Sequence, residues 1–484
     1  MLIDIAEKNC ENCARGGKIL LKRFCIYLLL GIGIVLSISN STYGETVPNC
    51  NVTSSENTTN TKWKCITGNT FTLSATYTAS KAGVVVTSEA NTASTVIINN
   101  YGTIRATDSD EAAIKVGGSD SNVINNYAGA TIRGGEKAIR VDSATDLTID
   151  NAGTVTSDGK QAIYSTGTNT DITNSGMIEA TTFSAIQVEG SNASINNSGT
   201  ILVSASGTNN AVNSSGDNLI LINTGTGTVQ APNYSVNVTG DNATITNSGI
   251  IFGTTQRAIY TNSNGHTITN ESDGTIEAGE SESGWDISGG TDRLAVELGV
   301  NATNLILENY GTINAGSNTV KTLSTGMTLT NYSGGTISAQ AAQDETILKA
   351  IFISGNDNII KNYGTISGAG DTDSINISSG VEGTKIYVDG APTFTGEIEL
   401  TDSTVAEKTT MYLGCSMTQD TTIEIHNHGG ALNVENNLCG NDTYTLSTEV
   451  LEGSDSDDGY LIVDEGLEVV SNNASYRSEN VLTK

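Results

Sequence analysis

An all-β fold, a right-handed parallel β-helix closed by a strand-rich module near its C-terminal end, is what this sequence predicts, and three observations predict it. First, the segment at residues 305–315 (LILENYGTINA) recurs along most of the chain, anchored on Asn100, Asn126, Asn151, Asn174, Asn197, Asn223, Asn247, Asn270, Asn309, Asn331 and Asn362. Successive differences are 26, 25, 23, 23, 26, 24, 23, 39, 22 and 31, the signature of a stacked solenoid with two interruptions. Second, an aliphatic residue stands two positions before every anchor, from Ile98 to Ile360, and in a strand such pairs share a face. Third, 53 glycines against 3 prolines, with only 5% aromatic residues, suit many turns around a thin aliphatic core. The regular Ile and Val spacing argues against disorder in a chain this polar.

Taken in order, residues 1–44 read as a signal peptide with an extended n-region. Lys18, Lys22 and Arg23 precede an apolar run at residues 25–39 (CIYLLLGIGIVLSIS) that is short for a membrane span, and small residues up to Gly44 follow. Cys10 and Cys13 resemble a metal or redox pair but would leave with this leader. The leader carries five basic and three acidic residues, so its loss takes the net charge from −30 to −32. Such a surface repels phosphate backbones and excludes nucleic acid as a partner.

Residues 45–94 are expected to form an N-terminal cap. Four cysteines remain after the leader, and an exported protein favours their oxidation: Cys50 with Cys65 and Cys415 with Cys439 are the expected local disulfides, one near each end of the array.

Residues 95–380 carry the repeats. The anchor asparagine shares the face of its aliphatic neighbour and is therefore expected inside, where stacked amides donate to and accept from one another. In most copies a glycine follows two residues later, as at Gly102, Gly153, Gly176, Gly199, Gly249, Gly311 and Gly364, expected to supply a backbone conformation that other residues resist. A second inward aliphatic comes next, as at Ile104 and Ile313. A third strand shows as an Ala-Ile-x-Val theme, for example residues 113–116, 138–141 and 185–188. Its outward position changes from coil to coil: Lys115, Arg140, Tyr164, Gln187, Asn213, Asn237, Tyr260, Glu297 and Phe352. This column is either a recognition face or unconstrained surface. The 39-residue interval inserts residues 280–293, with Trp285, which either projects as a binding loop or folds back over the coil beneath it.

After residue 380 the asparagine theme stops, and residues 381–470 are expected to cap the open core, with a flexible tail at residues 471–484. Glu424, His426 and His428 alternate along one strand and share a face, a pattern compatible with a metal ion. A solvated strand face looks the same, so no metal is assigned. Asp455, Asp457 and Asp458 imitate a calcium loop only superficially, because its glycine and twelfth-position glutamate are out of place. The repeats offer neither paired carboxylates beside a basic residue, as a polysaccharide lyase or hydrolase needs, nor a serine-protease motif. No catalytic residue and no cofactor is therefore assigned.

The leader, the Asn-x-Gly-Thr-Ile repeats over residues 100–366 and the strand-rich end together resemble the passenger region of bacterial autotransporters (type V secretion). The resemblance implies export, display at the cell surface or outer membrane, and a partner in the form of an outer-membrane translocator barrel. Residues 381–470 are similar in position and pattern to the module that assists folding in that family. No series of amphipathic membrane strands precedes Lys484. The barrel is thus expected beyond this sequence or as a separate protein, and a periplasmic location remains the alternative. Passengers of this kind imply adhesion to a host cell, to matrix or to another copy of the chain. A polysaccharide-degrading enzyme and a structural spacer are the competing expectations.

Overall fold

In a computed structural model, residues 95–118, 121–205, 209–279, 293–340, 348–369 and 372–414 are described. To these are added isolated strands between residues 52 and 87 and short stretches at 421–426, 432–435, 458–463 and 468–471. Contacts divide the chain into residues 1–46 and 47–484, and every described residue belongs to the second unit. The expected leader, Trp285, Cys50, Cys415, Cys439, His428 and the tail beyond residue 471 lie outside the described residues. Of Cys65 only the backbone is described, in the strand Trp63–Cys65, which pairs in parallel with Val84–Thr87.

The chain winds as a parallel β-helix of three sheets. One, here the ladder sheet, is 16-stranded and collects the strands that end in the anchor asparagines; the second is 14-stranded and collects those after the glycine turn. The third collects the Ala-Ile-x-Val strands, such as Ile114–Gly117, Ile139–Asp142 and Ile163–Ser165. Each strand pairs with its counterpart one coil away, so Ile124 aligns with Ile98 and Ile149, and Ile132 with Ile104 and Val155. Inward and outward positions alternate cleanly, as in the buried Ile and Asn of Thr267–Asn270. The inward columns form one continuous aliphatic core from Phe71 to Leu432. At roughly 1.5–3 kcal/mol per fully buried aliphatic side chain, this core is the main term opposing the entropy of ordering the coils.

The anchor asparagines form the expected ladder. All are at most 2% exposed. Each Nδ2 donates to the next Oδ1, from Asn100 to Asn126 (2.8 Å) through Asn174 to Asn197 (2.7 Å) to Asn331 and Asn362 (2.9 Å). The 39-residue interval leaves the register intact, because Asn270 still donates to Asn309 at 2.9 Å. Nδ2 groups also reach backbone carbonyls one coil on, as Asn223 does to Ile250 O at 3.1 Å. The ladder has a polarity and an end. Asn362 aligns with Val388, which has nothing to accept with, and its Nδ2 is buried without a partner.

The reason expected for the motif glycines is corrected. Gly153, Gly176, Gly199, Gly249, Gly311 and Gly364 do not adopt positive φ. A Cβ on any of them would instead fall 2.0–2.4 Å from a backbone carbonyl oxygen of a preceding coil. Close stacking of turns, rather than backbone conformation, demands glycine there. Positive φ marks a different corner, two residues before most ladder strands, at Ser121, Asp146, Asn169, Asn192, Asn218, Asn242, Gly265, Asn304, Gly326, Asp357 and Gly383, and recurs in the longer glycine turns at Gly129, Gly225 and Gly334. Asn and Gly tolerate this conformation best, and three of these amides form a second, exposed ladder. Asn169 donates to Asp146, Asn192 to Asn169 and Asn218 to Asn192, at 2.8, 3.1 and 2.9 Å.

Parallel pairing outlasts the asparagine motif. Lys385–Val388 and Thr410–Leu413 continue the ladder sheet, Thr393–Thr395 the second sheet and Ile398–Leu400 the third. A short helix, Ser403–Lys408, is capped by the Asp402 carboxylate accepting from Val405 N at 2.8 Å. Beyond it Thr421–His426 joins the third sheet in parallel and then pairs antiparallel with Asp458–Val463.

Candidate functional site

The third sheet aligns the coil-to-coil variable positions in a single column. Lys115, Arg140, Tyr164, Gln187, Asn213, Asn237, Tyr260 and Glu297 are successive register partners, followed by Lys321, Phe352, Asn376, Glu399 and His426. Neighbours in such a column stand about 4.8 Å apart and meet side by side. The candidate residues Lys115, Arg140, Tyr164, Gln187, Tyr260 and Phe352 are therefore on one face, whereas Trp285 lies outside the described residues.

The face is braced. Lys115 Nζ pairs with Glu111 at 2.6 Å, and Arg140 Nε with Asp142 at 2.9 Å. The Tyr164 hydroxyl donates to Glu189 Oε2 at 3.0 Å, and Gln187 Nε2 donates to Glu189 Oε1 at 2.6 Å. Tyr234 and Tyr260 stack with centroids 5.1 Å apart, and the Arg257 guanidinium lies over both rings, 5.3 and 5.9 Å from their centroids. Lys349 lies 5.3 Å from the Phe352 ring centroid and 3.5 Å from Asp373. Glu297 departs from the expected exposure: it is buried, because Arg257 folds across it in an ion pair, and further along the column Asn376 and Glu399 are buried too. Locked side chains of this kind present fixed donors, acceptors and aromatic faces to a partner at little entropic cost.

Charge is sorted along the column. Lys137 and Lys160 flank Glu136 near its start, both at 2.8 Å. Burial raises the Glu136 pKa, but the two ammonium groups outweigh it and hold the carboxyl below its ordinary value. The far end is acidic. Glu397 and Glu399, two residues apart on the strand edge, meet His426 of the next coil: its Nδ1 lies 2.9 Å from Glu399 Oε2 and 3.8 Å from Glu397 Oε1. One ligand-type atom from each of the three lies within 4.8 Å of the others. Burial pushes the Glu397 pKa up to about 7; nearby His426 lowers it, while Asp373, Glu399 and Glu424 add to the rise.

Sequence reasoning placed His426 beside Glu424 and His428 along one strand, but missed Glu397 and Glu399. They come from the preceding coil, 27 positions before His426 in the case of Glu399, where no asparagine anchor marks the register. Comparison of the chain with protein-family models, with curated proteins and with solved structures returns no match.

Proposed function

We propose that this chain is an exported surface passenger that binds a host-cell or matrix surface, or another copy of itself, through the outward column of its third sheet, without a catalytic role. The observation that carries the reading is the contrast between columns. Inward positions repeat the same few aliphatic residues, while one outward column presents Lys115, Arg140, Tyr164, Gln187, Tyr260 and Phe352 in register, several held by neighbouring charged groups. Aromatic and guanidinium groups so held are the types that dominate binding energy at interfaces. Export by the leader, disulfides at Cys50, Cys65, Cys415 and Cys439, and passage through an outer-membrane barrel belong to the same proposal.

The test is saturable binding of the purified chain to epithelial cells, matrix proteins and immobilised chain at moderate ionic strength. The proposal expects saturation on at least one of them; absence on all three would count against it. A second reading has one observation in its favour. A carboxyl whose pKa is pushed up to about 7, beside another carboxylate, is the arrangement of a general acid in polysaccharide hydrolysis. Release of reducing ends from acidic polysaccharides, lost in Glu397→Gln, would favour it.

A further inference from the structure

We propose that Glu397, Glu399 and His426 form a binding site for a divalent transition cation of the zinc class, which staples together the last two parallel strands of the third sheet. The geometry comes first. In a tetrahedral site with ligand bonds of about 2.0–2.1 Å, ligand atoms sit about 3.3 Å from one another. The distances from His426 Nδ1 to Glu399 Oε2 and Glu397 Oε1, 2.9 and 3.8 Å, bracket that value. Glu397 and Glu399 flank Ile398 and so share a strand face, while His426 reaches the same face from the strand that pairs with it. All three ligand-type atoms already lie within 4.8 Å of one another.

The immediate surroundings point the same way independently of those three groups. Asn376 is the register partner of Glu399 on the preceding strand and is 2% exposed. Its Nδ2 donates to Asp373 Oδ2 at 2.7 Å, which fixes the orientation of the amide, and its Oδ1 is buried without any hydrogen-bond donor. A buried amide oxygen without a donor costs about 1–3 kcal/mol, and a cation nearby relieves that cost. Asp373 and Glu424 add negative charge around the cluster, with Lys349 the ammonium closest to Asp373, at 3.5 Å. An imidazole with two carboxylates selects zinc-class ions over calcium or magnesium, which take oxygen ligands. Three protein ligands leave a fourth position for water.

The site has a mechanical meaning. Thr421–His426 is the strand where the third sheet turns from parallel to antiparallel pairing. A cation there would join the coil of Ile398–Leu400 to that strand at the point where the asparagine ladder no longer acts.

The test uses the full chain, stripped of metal and with its thiols alkylated so that cysteines do not compete. Calorimetric titration with zinc chloride at pH 7.5 should show one saturable site. His426→Ala should weaken it by more than about 100-fold, since losing even a group that only orients a ligand costs about 10–100-fold. Glu271→Gln, an exposed carboxylate several coils away, should leave it unchanged within a few-fold. A parallel measurement needs no variant. The chain has 3 histidines, so selectively labelled imidazoles give three sets of resonances. Those of His426 should shift at one equivalent of zinc. A chain without saturable zinc binding, His426→Ala binding as tightly as the parent, or zinc leaving the His426 resonances in place would each overturn the proposal.

Discussion

Cutting the asparagine ladder in its middle should cost far more than cutting it at its end. Asn223 accepts from Asn197 Nδ2 and donates to Asn247 Oδ1, both at 2.8 Å. Asn223→Leu keeps the branched shape and heavy-atom count but leaves the buried Asn247 oxygen without its donor, and Asn197 keeps only its carbonyl acceptors on Gly199 and Thr228. Asn362→Leu also removes one acceptor, from Asn331, and the acceptor that Gly364 N uses at 3.2 Å. It eliminates, however, the orphaned Nδ2 that Asn362 already buries. With about 1–3 kcal/mol for each stranded buried group, Asn223→Leu should be the more destabilising by about 2 kcal/mol or more, while the apolar gain from leucine cancels between the two. Urea unfolding followed by hydrogen exchange suits an array whose coils couple only to neighbours, and protection should fall first in the strands flanking residue 223. Equal losses in the two variants, or a greater loss in Asn362→Leu, would refute the idea that ladder polarity decides the cost.

Three further outcomes are expected. Gly265 has φ +72°, and a Cβ there would meet Asn242 Oδ1 at 2.5 Å, so Gly265→Ala should lower stability by roughly 1–2 kcal/mol, whereas Asn218→Gly at an equivalent corner should change it little; an unaffected urea midpoint for Gly265→Ala would contradict this. His266 is fully buried, and burial lowers its pKa while its Nδ1 accepts from Ala243 N at 3.1 Å. The unfolded chain therefore takes up the proton first, so this contribution is intact above the unfolded imidazole value of about 6.5 and is lost as pH falls below it. His266→Leu, matching Leu305 in the next coil, should flatten the pH dependence between pH 7 and 5, and an unchanged slope would argue against it. Glu397 has the opposite sign in the metal-free chain: its folded carboxyl holds a proton up to about pH 7 against an ordinary 4.5, so its contribution is present at low pH and lost as pH rises through that window. Glu397→Gln should remove that loss, seen as equal hydrogen-exchange protection of Ile398–Leu400 at pH 5 and pH 8.

What was legible in the sequence follows from what repeats as residue identity. The ladder and the aliphatic columns could be read because geometry demands the same side chain in each coil, from Ile98 and Asn100 to Ile360 and Asn362. The left-handed corner was not legible, since Ser121, Asp146, Asn192 and Gly265 share a backbone angle rather than a side chain. The motif glycines were found but for the wrong reason, because a carbonyl stacked 2.0 Å from a Cβ on Gly176 is a relation between coils. Coils past residue 380 escaped notice for a related cause: Val388 and Leu413 take the ladder position, and an aliphatic residue there carries no distinctive mark. Without that mark the alignment of Glu399 with His426 could not be counted, and the acidic end of the column stayed hidden.

The proposed function is tested most directly by comparing two outward faces of the same coils. One variant carries Tyr164→Ala, Tyr260→Ala and Phe352→Ala on the third sheet; the other carries Thr173→Ala, Thr269→Ala and Lys361→Ala on the ladder sheet, whose outward positions pair in register. Both should fold with the parent's circular dichroism, and binding to the surface that the parent saturates is then measured. Loss of at least tenfold in affinity for the first and little change for the second is the predicted result. Equal binding by both variants, or loss only in the second, would contradict the assignment of recognition to the variable column.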